Sequence, residues 1–228
     1  MDEKYFSRKT FQFLDQLAAN NNRDWFHENK QNYEDLVREP ALDFIADISA
    51  DLGRISPHFN AIPKKVGGSL MRVNRDIRFG KDKSPYKTNI GIQFRHEIGK
   101  DVHAPGFYVH IAADECFLGV GIWRPDGPSL RMIRDAIIEK PEKWKKIVAD
   151  KTFNQLFKLS GESLVNAPRG YPKEHPLLAH LKRKDHIAIA ALKKSTVTSN
   201  KFKKEVLRLF SDGSSYMQFL CRALNLNY

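Results

Sequence analysis

The spacing of apolar residues predicts three helices in the first quarter of the chain. Apolar side chains recur at helical intervals in residues 7–20 and again in residues 24–39, where Asn22 is placed to cap the first turn. A third helix is expected over about residues 40–53, with Pro40 producing a kink or a new start. The chain therefore begins with a helical layer.

The middle of the chain instead alternates apolar and other residues with the period of a β-strand. Ile90, Ile92 and Phe94 show the alternation most clearly. The strands expected on this pattern are residues 66–73, 89–96, 106–112, 116–123 and, late in the chain, 186–192. A short turn at Asp114 and Glu115 separates two of them and predicts an antiparallel hairpin.

Helical spacing returns after the turn at Pro125-Asp126-Gly127. Helices are expected near residues 130–138, 142–149, 200–210 and 214–224, with a Gly- and Pro-rich loop at residues 160–176. Helices, then a run of antiparallel strands, then more helices predict an α+β fold. We expect residues 1–228 to form a single domain, in which N- and C-terminal helices pack on one face of one mainly antiparallel sheet.

The apolar segments and the cysteine content of the chain indicate where in the cell the protein is expected. The chain of 228 residues begins without the apolar stretch of a signal peptide, and it contains no apolar run of membrane-spanning length. Its two cysteines, Cys116 and Cys221, do not suggest a disulfide framework. We expect a cytoplasmic protein with no membrane partner, while the sequence gives no indication of its oligomeric state.

The net charge of +11 is unevenly distributed. Residues 1–128 contain 18 Lys and Arg against 18 Asp and Glu, and residues 129–228 contain 20 against 9. Such an excess can attract nucleic acid or an acidic protein, although a solvated lysine-rich helical surface is the commoner explanation.

A separate cluster of cations lies between the first two predicted strands. This basic segment, residues 72–87, carries six of them: Arg72, Arg75, Arg78, Lys81, Lys83 and Lys87. Arginine suits bidentate contacts to phosphate or carboxylate, and Phe79 and Tyr86 could stack on a ring. Alternatively, Asp76 and Asp82 could pair with the arginines and simply hold the loop in place.

The polar positions of the strands predict a second part of the site. Opposite the apolar faces lie Gly91, Gln93, Arg95, Tyr108, His110, Gly119, Gly121 and Trp123. Glycine within a strand often marks the close approach of a ligand. We therefore expect a polar floor beneath the basic segment. The complete candidate ligand-binding set is Arg72, Arg75, Arg78, Lys83, Tyr86, Lys87, Arg95, Tyr108, His110 and Trp123.

An enzymatic role would need an acid or base at this site. His110 is the natural candidate, and Asp76 and Tyr86 are two others, although a histidine bonded to a strand neighbour is the simpler explanation of His110. No metal is expected, because His175, His180 and His186 match no zinc motif. Common nucleotide-binding and hydrolase motifs are missing from the sequence, so the sequence does not indicate a particular cofactor.

Several motifs resemble one known family. They are Arg72-x-x-Arg75-Asp76-x-Arg78-Phe79-x-x-Asp82-Lys83-x-x-Tyr86, Asn21-Asn22-Arg23-Asp24-Trp25-Phe26, Tyr108-x-His110, Gly119-x-Gly121-x-Trp123-x-Pro125 and Pro168-x-Gly170-Tyr171. Together they are similar to the conserved hypothetical proteins called domain of unknown function 2461, over about residues 5–225. The resemblance implies one domain and no established activity, cofactor or partner.

Three functions follow as hypotheses. The first is binding of a phosphate-bearing or other anionic small molecule at the basic segment. The second is an enzyme that acts on a phosphorylated or carboxylated small molecule. The third is a module that binds nucleic acid or an acidic partner through the lysine-rich residues 140–208.

Overall fold

The alternating apolar residues form a six-stranded antiparallel sheet in the computed structural model, which describes residues 5–78, 82–99 and 103–228. The strands are β1 (Phe59–Asn60), β2 (Asn89–His96), β3 (Gly106–Ala112), β4 (Cys116–Ile122), β5 (Lys158–Ser160) and β6 (His186–Ala191). Their order across the sheet is β1-β2-β3-β4-β6-β5, and every neighbouring pair is antiparallel. The predicted hairpin between β3 and β4 is confirmed.

Helices flank the strands in sequence, as the pattern predicted. In the described residues they are α1 (Arg8–Ala19), α2 (Arg23–Glu28), α3 (Lys30–Tyr33), α4 (Glu39–Ile55), α5 (Gly127–Glu139), α6 (Pro141–Val148), α7 (Lys151–Leu156), α8 (Leu178–Leu181), α9 (Lys194–Val197), α10 (Phe202–Asp212) and α11 (Ser214–Ala223). The Asn22 side chain caps α2 by accepting a hydrogen bond from the Trp25 backbone N–H at 2.9 Å. The α+β prediction is confirmed.

The core lies between the sheet and the long helices. Phe210 of α10 contacts Phe107 of β3 and Phe94 of β2, with ring centroids 4.6 and 5.9 Å apart, and Phe44 of α4 contacts Phe94 at 6.4 Å. Buried apolar side chains form one cluster that extends from Phe6 to Cys221. Half-buried side chains of the opposite sheet face lie outside this cluster.

Pro40 changes the helix around it without ending it. A π-helical turn, Glu34–Arg38, joins α3 directly to α4, and Pro40 lies in the first turn of α4. Proline has no N–H to donate, and its ring conflicts with the carbonyl four residues earlier, so a wider turn at this point relieves both problems. The result is a nearly continuous helical segment from Lys30 to Ile55.

The predicted strand at residues 66–73 is wrong. Gly67 has a φ of +72°, and a Cβ on Gly68 would lie 2.4 Å from the Ile62 carbonyl oxygen, so the chain turns tightly here. Only Leu70 pairs with a strand, through an isolated bridge to Ile92 of β2. Apolar composition suggested a strand, but the two glycines give the segment the conformation of a turn.

Two short strands were not predicted. β1 has two residues and β5 has three, which is too short to show a period of two. β5 also ends where the predicted loop of residues 160–176 begins. In the described part of the chain, no helix has both the length and the apolar composition needed to cross a membrane.

Gly121 provides a test of the β4 geometry. Its φ of +131° lies in a region that residues other than glycine rarely adopt, and an added Cβ would lie 2.0 Å from the His186 carbonyl oxygen. We expect Gly121→Ala to lower the free energy of unfolding by about 2–4 kcal/mol in urea denaturation. Gly119→Ala is the matched control, because its Cβ would meet Tyr108 at an ordinary 3.6 Å. Equal losses for the two variants would contradict this geometry.

Candidate functional site

The basic segment is a pair of hydrogen-bonded arms that lead into β2. The Lys87 backbone N–H donates to the Val73 carbonyl at 2.7 Å, and the Arg75 N–H donates to the Pro85 carbonyl at 2.9 Å. Between the arms, Phe79 and Lys81, which the sequence analysis singled out, lie outside the described residues. These bonds keep the cations of the two arms beside each other.

Tyr86 anchors the segment to the N-terminal helices. Its side chain is only 8% exposed and stacks on Phe26 with ring centroids 4.0 Å apart. The Asn21 side chain accepts from the Tyr86 N–H at 3.0 Å and donates to its carbonyl at 2.9 Å. We expected Tyr86 to face a ligand as a stacking group or proton donor. That expectation is wrong, because the ring is already buried against the protein.

Two ion pairs hold the outer part of the segment. Arg78 donates two side-chain hydrogen bonds to Asp76, at 2.9 and 2.7 Å, and Arg75 pairs with Asp82. The hydrogen bonds from Arg78 lower the pKa of Asp76 to about 2. Asp76 is therefore ionised at neutral pH and has no proton to donate, which removes it as a general acid.

Lys83 also serves the loop, since its ammonium donates to the Ile77 carbonyl at 2.8 Å. In the described residues no carboxylate or carbonyl contacts the side chain of Arg72 or Lys87. The alternative that the arginines hold the loop is thus correct for Arg75 and Arg78. It leaves Arg72 and Lys87 without a side-chain hydrogen bond or ion pair in that part of the chain, although the charge of Arg72 contributes to the lowered pKa of Asp76.

Arg72, Arg75 and Lys87 form a cationic cluster at the base of the two arms. The Lys87 side chain is half-buried, and burial, followed by repulsion from Arg72 and Arg75, lowers its pKa. A cavity of about 360 Å³ opens beside the cluster, lined by Arg75, Asp76, Lys87, Thr88 and Asn89. Arg75 and Lys87 thus face the cavity together with the carboxylate of Asp76, whereas Arg72 lies beside Lys87 and outside the lining.

The strand register extends the site across the sheet. Asn89, Gly91, Gln93 and Arg95 alternate along the open face of β2, with Tyr108 opposite Gln93 and His110 opposite Gly91. Six residues of strand, roughly 20 Å, separate Arg95 from Asn89. Arg95, which was expected in the ligand-binding set, therefore lies towards the other end of this face from the basic segment and lines neither of the two cavities of the candidate site.

His110 is held by the residues on either side of it. Its Nδ1 lies 3.2 Å from the Tyr108 hydroxyl and 3.4 Å from the Asn89 amide nitrogen, and its ring stacks on Phe117 at 4.4 Å. Burial lowers the pKa of His110 and raises the pKa of Tyr108 to about 12. At neutral pH we therefore infer an uncharged imidazole whose Nδ1 accepts hydrogen bonds and whose proton is on Nε2.

A second cavity, of about 370 Å³, lies beyond Tyr108. This groove is lined by Met71, Gln93, Ala104, Gly106, Tyr108, Phe117, Gly119, Val120, Gly121, Trp123, Ile187 and Ile189. Trp123 is 43% exposed, stacks on His103 at 5.7 Å and lies under the Arg124 guanidinium at 4.7 Å. The expected polar floor is thus mainly apolar and aromatic in this groove, because β6 contributes isoleucines to the same face.

Residues 9–219 match the family model described as Conserved hypothetical protein (DUF2461). The chain belongs to this family. The match confirms the resemblance seen in the sequence motifs, and it covers the basic segment and every strand of the sheet. Comparison with the curated proteins and with the solved structures gave no match.

Several residues of this candidate site were not predicted from the sequence. Asn89 lines the cavity beside the cationic cluster and contacts His110, and it could have been found by extending the alternation of Gly91 and Gln93 back by two residues. Ile187 and Ile189 could not, because only the pairing of β6 with β4 brings them to the groove. Among the described residues, no three His, Cys, Asp or Glu side chains are grouped to hold a metal ion.

The environment of Lys87 should make the stability of the protein depend on pH. The pKa of Lys87 is lower in the folded protein than in the unfolded chain. Between these two pKa values the unfolded chain keeps the lysine proton that the folded protein has lost, so the free energy of unfolding should rise with pH in this interval. We expect Lys87→Met to be at least as stable as the wild type in urea at pH 7. The difference in free energy of unfolding between Lys87→Met and the wild type should shrink towards pH 10.

The matched control is Lys146→Met, which removes the same charge from an exposed position on α6. It should show no such pH dependence. A Lys87→Met protein that is clearly less stable than the wild type at pH 7 would contradict a repulsive environment at this position.

Proposed function

We propose that the protein binds an anionic small molecule, with the anionic group held by the cationic cluster of Arg72, Arg75 and Lys87. The observation that carries the proposal is the half-buried Lys87 ammonium beside two arginines at an open cavity, without a carboxylate partner in the described residues. Like charges that are partly removed from water repel each other, and a bound anion relieves that repulsion.

Phosphate is the group that fits this cluster best. A guanidinium offers paired donors in a plane that matches two phosphate or carboxylate oxygens, while the lysine ammonium supplies a compact positive charge. Thr88 and Asn89 line the same cavity and add neutral polar side chains. A doubly charged phosphate compensates more of the cluster than a carboxylate does.

A small ligand is favoured over a nucleic acid by the distribution of the other cations. Several lysines of the basic C-terminal half are already paired, including Lys145 with Glu142, Lys184 with Glu162 and Lys203 with Asp51. Such pairs reduce the charge that is available to a phosphate backbone. The cationic cluster, in contrast, is local and lies beside a cavity of ligand size.

An enzymatic function would rest on His110. Of the three acid–base candidates, Asp76 is ionised in an ion pair and Tyr86 is buried, whereas His110 contacts Asn89, which lines one cavity, and Tyr108, which lines the other. The neutral imidazole could accept a proton from a bound molecule only at Nδ1, so the ligand would have to replace the Tyr108 and Asn89 contacts there. This second candidate needs the same anion site, so it depends on the first proposal.

The cytoplasmic location expected from the sequence remains part of this proposal. Cys116 and Cys221 are both buried free thiols, which suits a reducing compartment.

Titration calorimetry with inorganic phosphate tests the anion site. We expect saturable binding that weakens by about tenfold or more in Lys87→Met and in Arg72→Gln, because each variant removes a charged donor. Binding should also weaken as pH rises and Lys87 loses its proton. The charge-matched control Lys146→Met should bind like the wild type.

Equal weakening in the Lys146→Met control would show that phosphate responds to net charge and not to this cluster. Binding that is unchanged in both Lys87→Met and Arg72→Gln would place the anion elsewhere. Either result would overturn the proposed site.

A further inference from the structure

The floor of the groove is made of neighbouring glycines. Gly106 of β3 lies directly opposite Gly121 of β4, and Gly119 lies two residues further along β4 on the same face. With strands about 4.8 Å apart and two residues of strand spanning about 7 Å, these positions form a flat patch of backbone. Its dimensions match those of an aromatic ring.

Gly119 differs from the other two glycines because the fold does not require it. A Cβ at Gly121 would collide with backbone, and one at Gly106 would lie 3.1 Å from the Phe94 carbonyl oxygen. A Cβ at Gly119 would meet only Tyr108, at 3.6 Å, which is ordinary contact. Glycine weakens a strand interior, so its presence at a position with room for a side chain is explained by a ligand that approaches the backbone.

The walls of the groove are suited to a ring as well. Tyr108, Phe117 and Trp123 bring aromatic side chains to it, and Ile187 and Ile189 bring apolar ones. Aromatic side chains favour offset-stacked or edge-to-face contacts with another ring. Gln93 adds a polar side chain to this lining, but most of the recognition here is apolar.

The charges around the groove determine what the ring should carry. No carboxylate lines the groove in the described residues, and Arg124 stacks on Trp123 at one end. At the other end, the Asn89–His110–Tyr108 contacts connect the groove to the cationic cluster. Along β2, Asn89 and Gln93 are four residues apart, or about 13 Å. This surface is complementary to a ring that bears a negative group at the end of a linker.

We propose that the groove binds a planar, mostly apolar ring system, and that this ring belongs to the same ligand whose anionic group occupies the cationic cluster. The inference about a shared ligand rests on the proposed function, whereas the ring site can be measured by itself. The ligand class is therefore an elongated aromatic anion, with ring and anionic group roughly 13 Å apart.

The experiment uses N-phenyl-1-naphthylamine, an uncharged aromatic dye whose fluorescence rises in apolar sites. We expect saturable binding by the full chain, displacement by 1-naphthol, and much weaker displacement by 1-octanol, which is apolar but not planar. Saturating inorganic phosphate should leave the dye bound, because the two sites lie apart. Calorimetry with phosphate, performed separately, reports on the cationic cluster alone.

Gly119→Leu places an apolar side chain in the groove from a position where the added Cβ makes only ordinary contact with Tyr108, and it should weaken dye binding by about tenfold or more. Phosphate binding should be unchanged in this variant. Gly53→Leu is the control, because Gly53 lies exposed on α4 and a Cβ added there would meet no atom within 4 Å. Lys87→Met should bind the dye normally. Thermal unfolding checks that Gly119→Leu is folded, and Trp123→Ala, at an exposed wall, is a second variant that should also weaken dye binding.

Each alternative result is decisive. Unchanged dye affinity in both Gly119→Leu and Trp123→Ala would overturn the ring site and leave the anion site standing. Equal displacement by 1-octanol would overturn the assignment to a planar ring. Displacement of the dye by phosphate would show overlapping sites and overturn the two-ended ligand. Loss of dye binding as the protein dimerises would show that a second copy of the chain covers the groove, which would also overturn it.

Discussion

The burial of Tyr86 determines where the charges of the basic segment lie. Its ring packs on Phe26, and Asn21 bonds both its N–H and its carbonyl, so the end of the segment is fixed to the N-terminal helices. Lys87 follows directly and is drawn into a half-buried position, while the opposite arm brings Arg72 and Arg75 beside it. An apolar anchor thus holds Lys87 where burial, followed by repulsion from Arg72 and Arg75, lowers its pKa.

The charged residues consequently divide into two groups with different physical roles. Arg78 is paired with Asp76 and stabilises the loop, whereas Arg75 is paired with Asp82 and also lines the cavity beside Lys87. Arg72 and Lys87 form no ion pair within the described residues, and only Arg72 has a carboxylate, that of Asp76, near enough to interact with its charge. Proteins tolerate a local loss of stability of this kind where a ligand provides the missing interaction. Gly119 on the adjoining sheet face also lowers stability, because glycine weakens a strand at a position that has room for a side chain.

Local patterns in the sequence were sufficient for most of the fold and for part of the site. The alternation in residues 89–96 predicted both the strand and its polar face, and the charge cluster predicted the basic segment. Apolar composition gave a wrong prediction where the backbone conformation of glycine determines the structure. At Gly67 a positive φ produces a turn in the segment that was predicted to be a strand. Local patterns also could not predict contacts between residues far apart in the sequence. Phe26 buries Tyr86, and β6 supplies Ile189 to the groove.

If Lys87 is held among like charges to receive an anion, its ammonium should titrate abnormally until the anion binds. Nuclear magnetic resonance of ¹³C-labelled lysine, with Lys87 assigned by comparison with Lys87→Met, measures the pKa of this one ammonium directly. We predict a pKa below that of the exposed lysines in the free protein, and a rise towards the ordinary value when inorganic phosphate is added. A Lys87 that titrates together with the exposed lysines and does not respond to phosphate would contradict an anion site at this cluster.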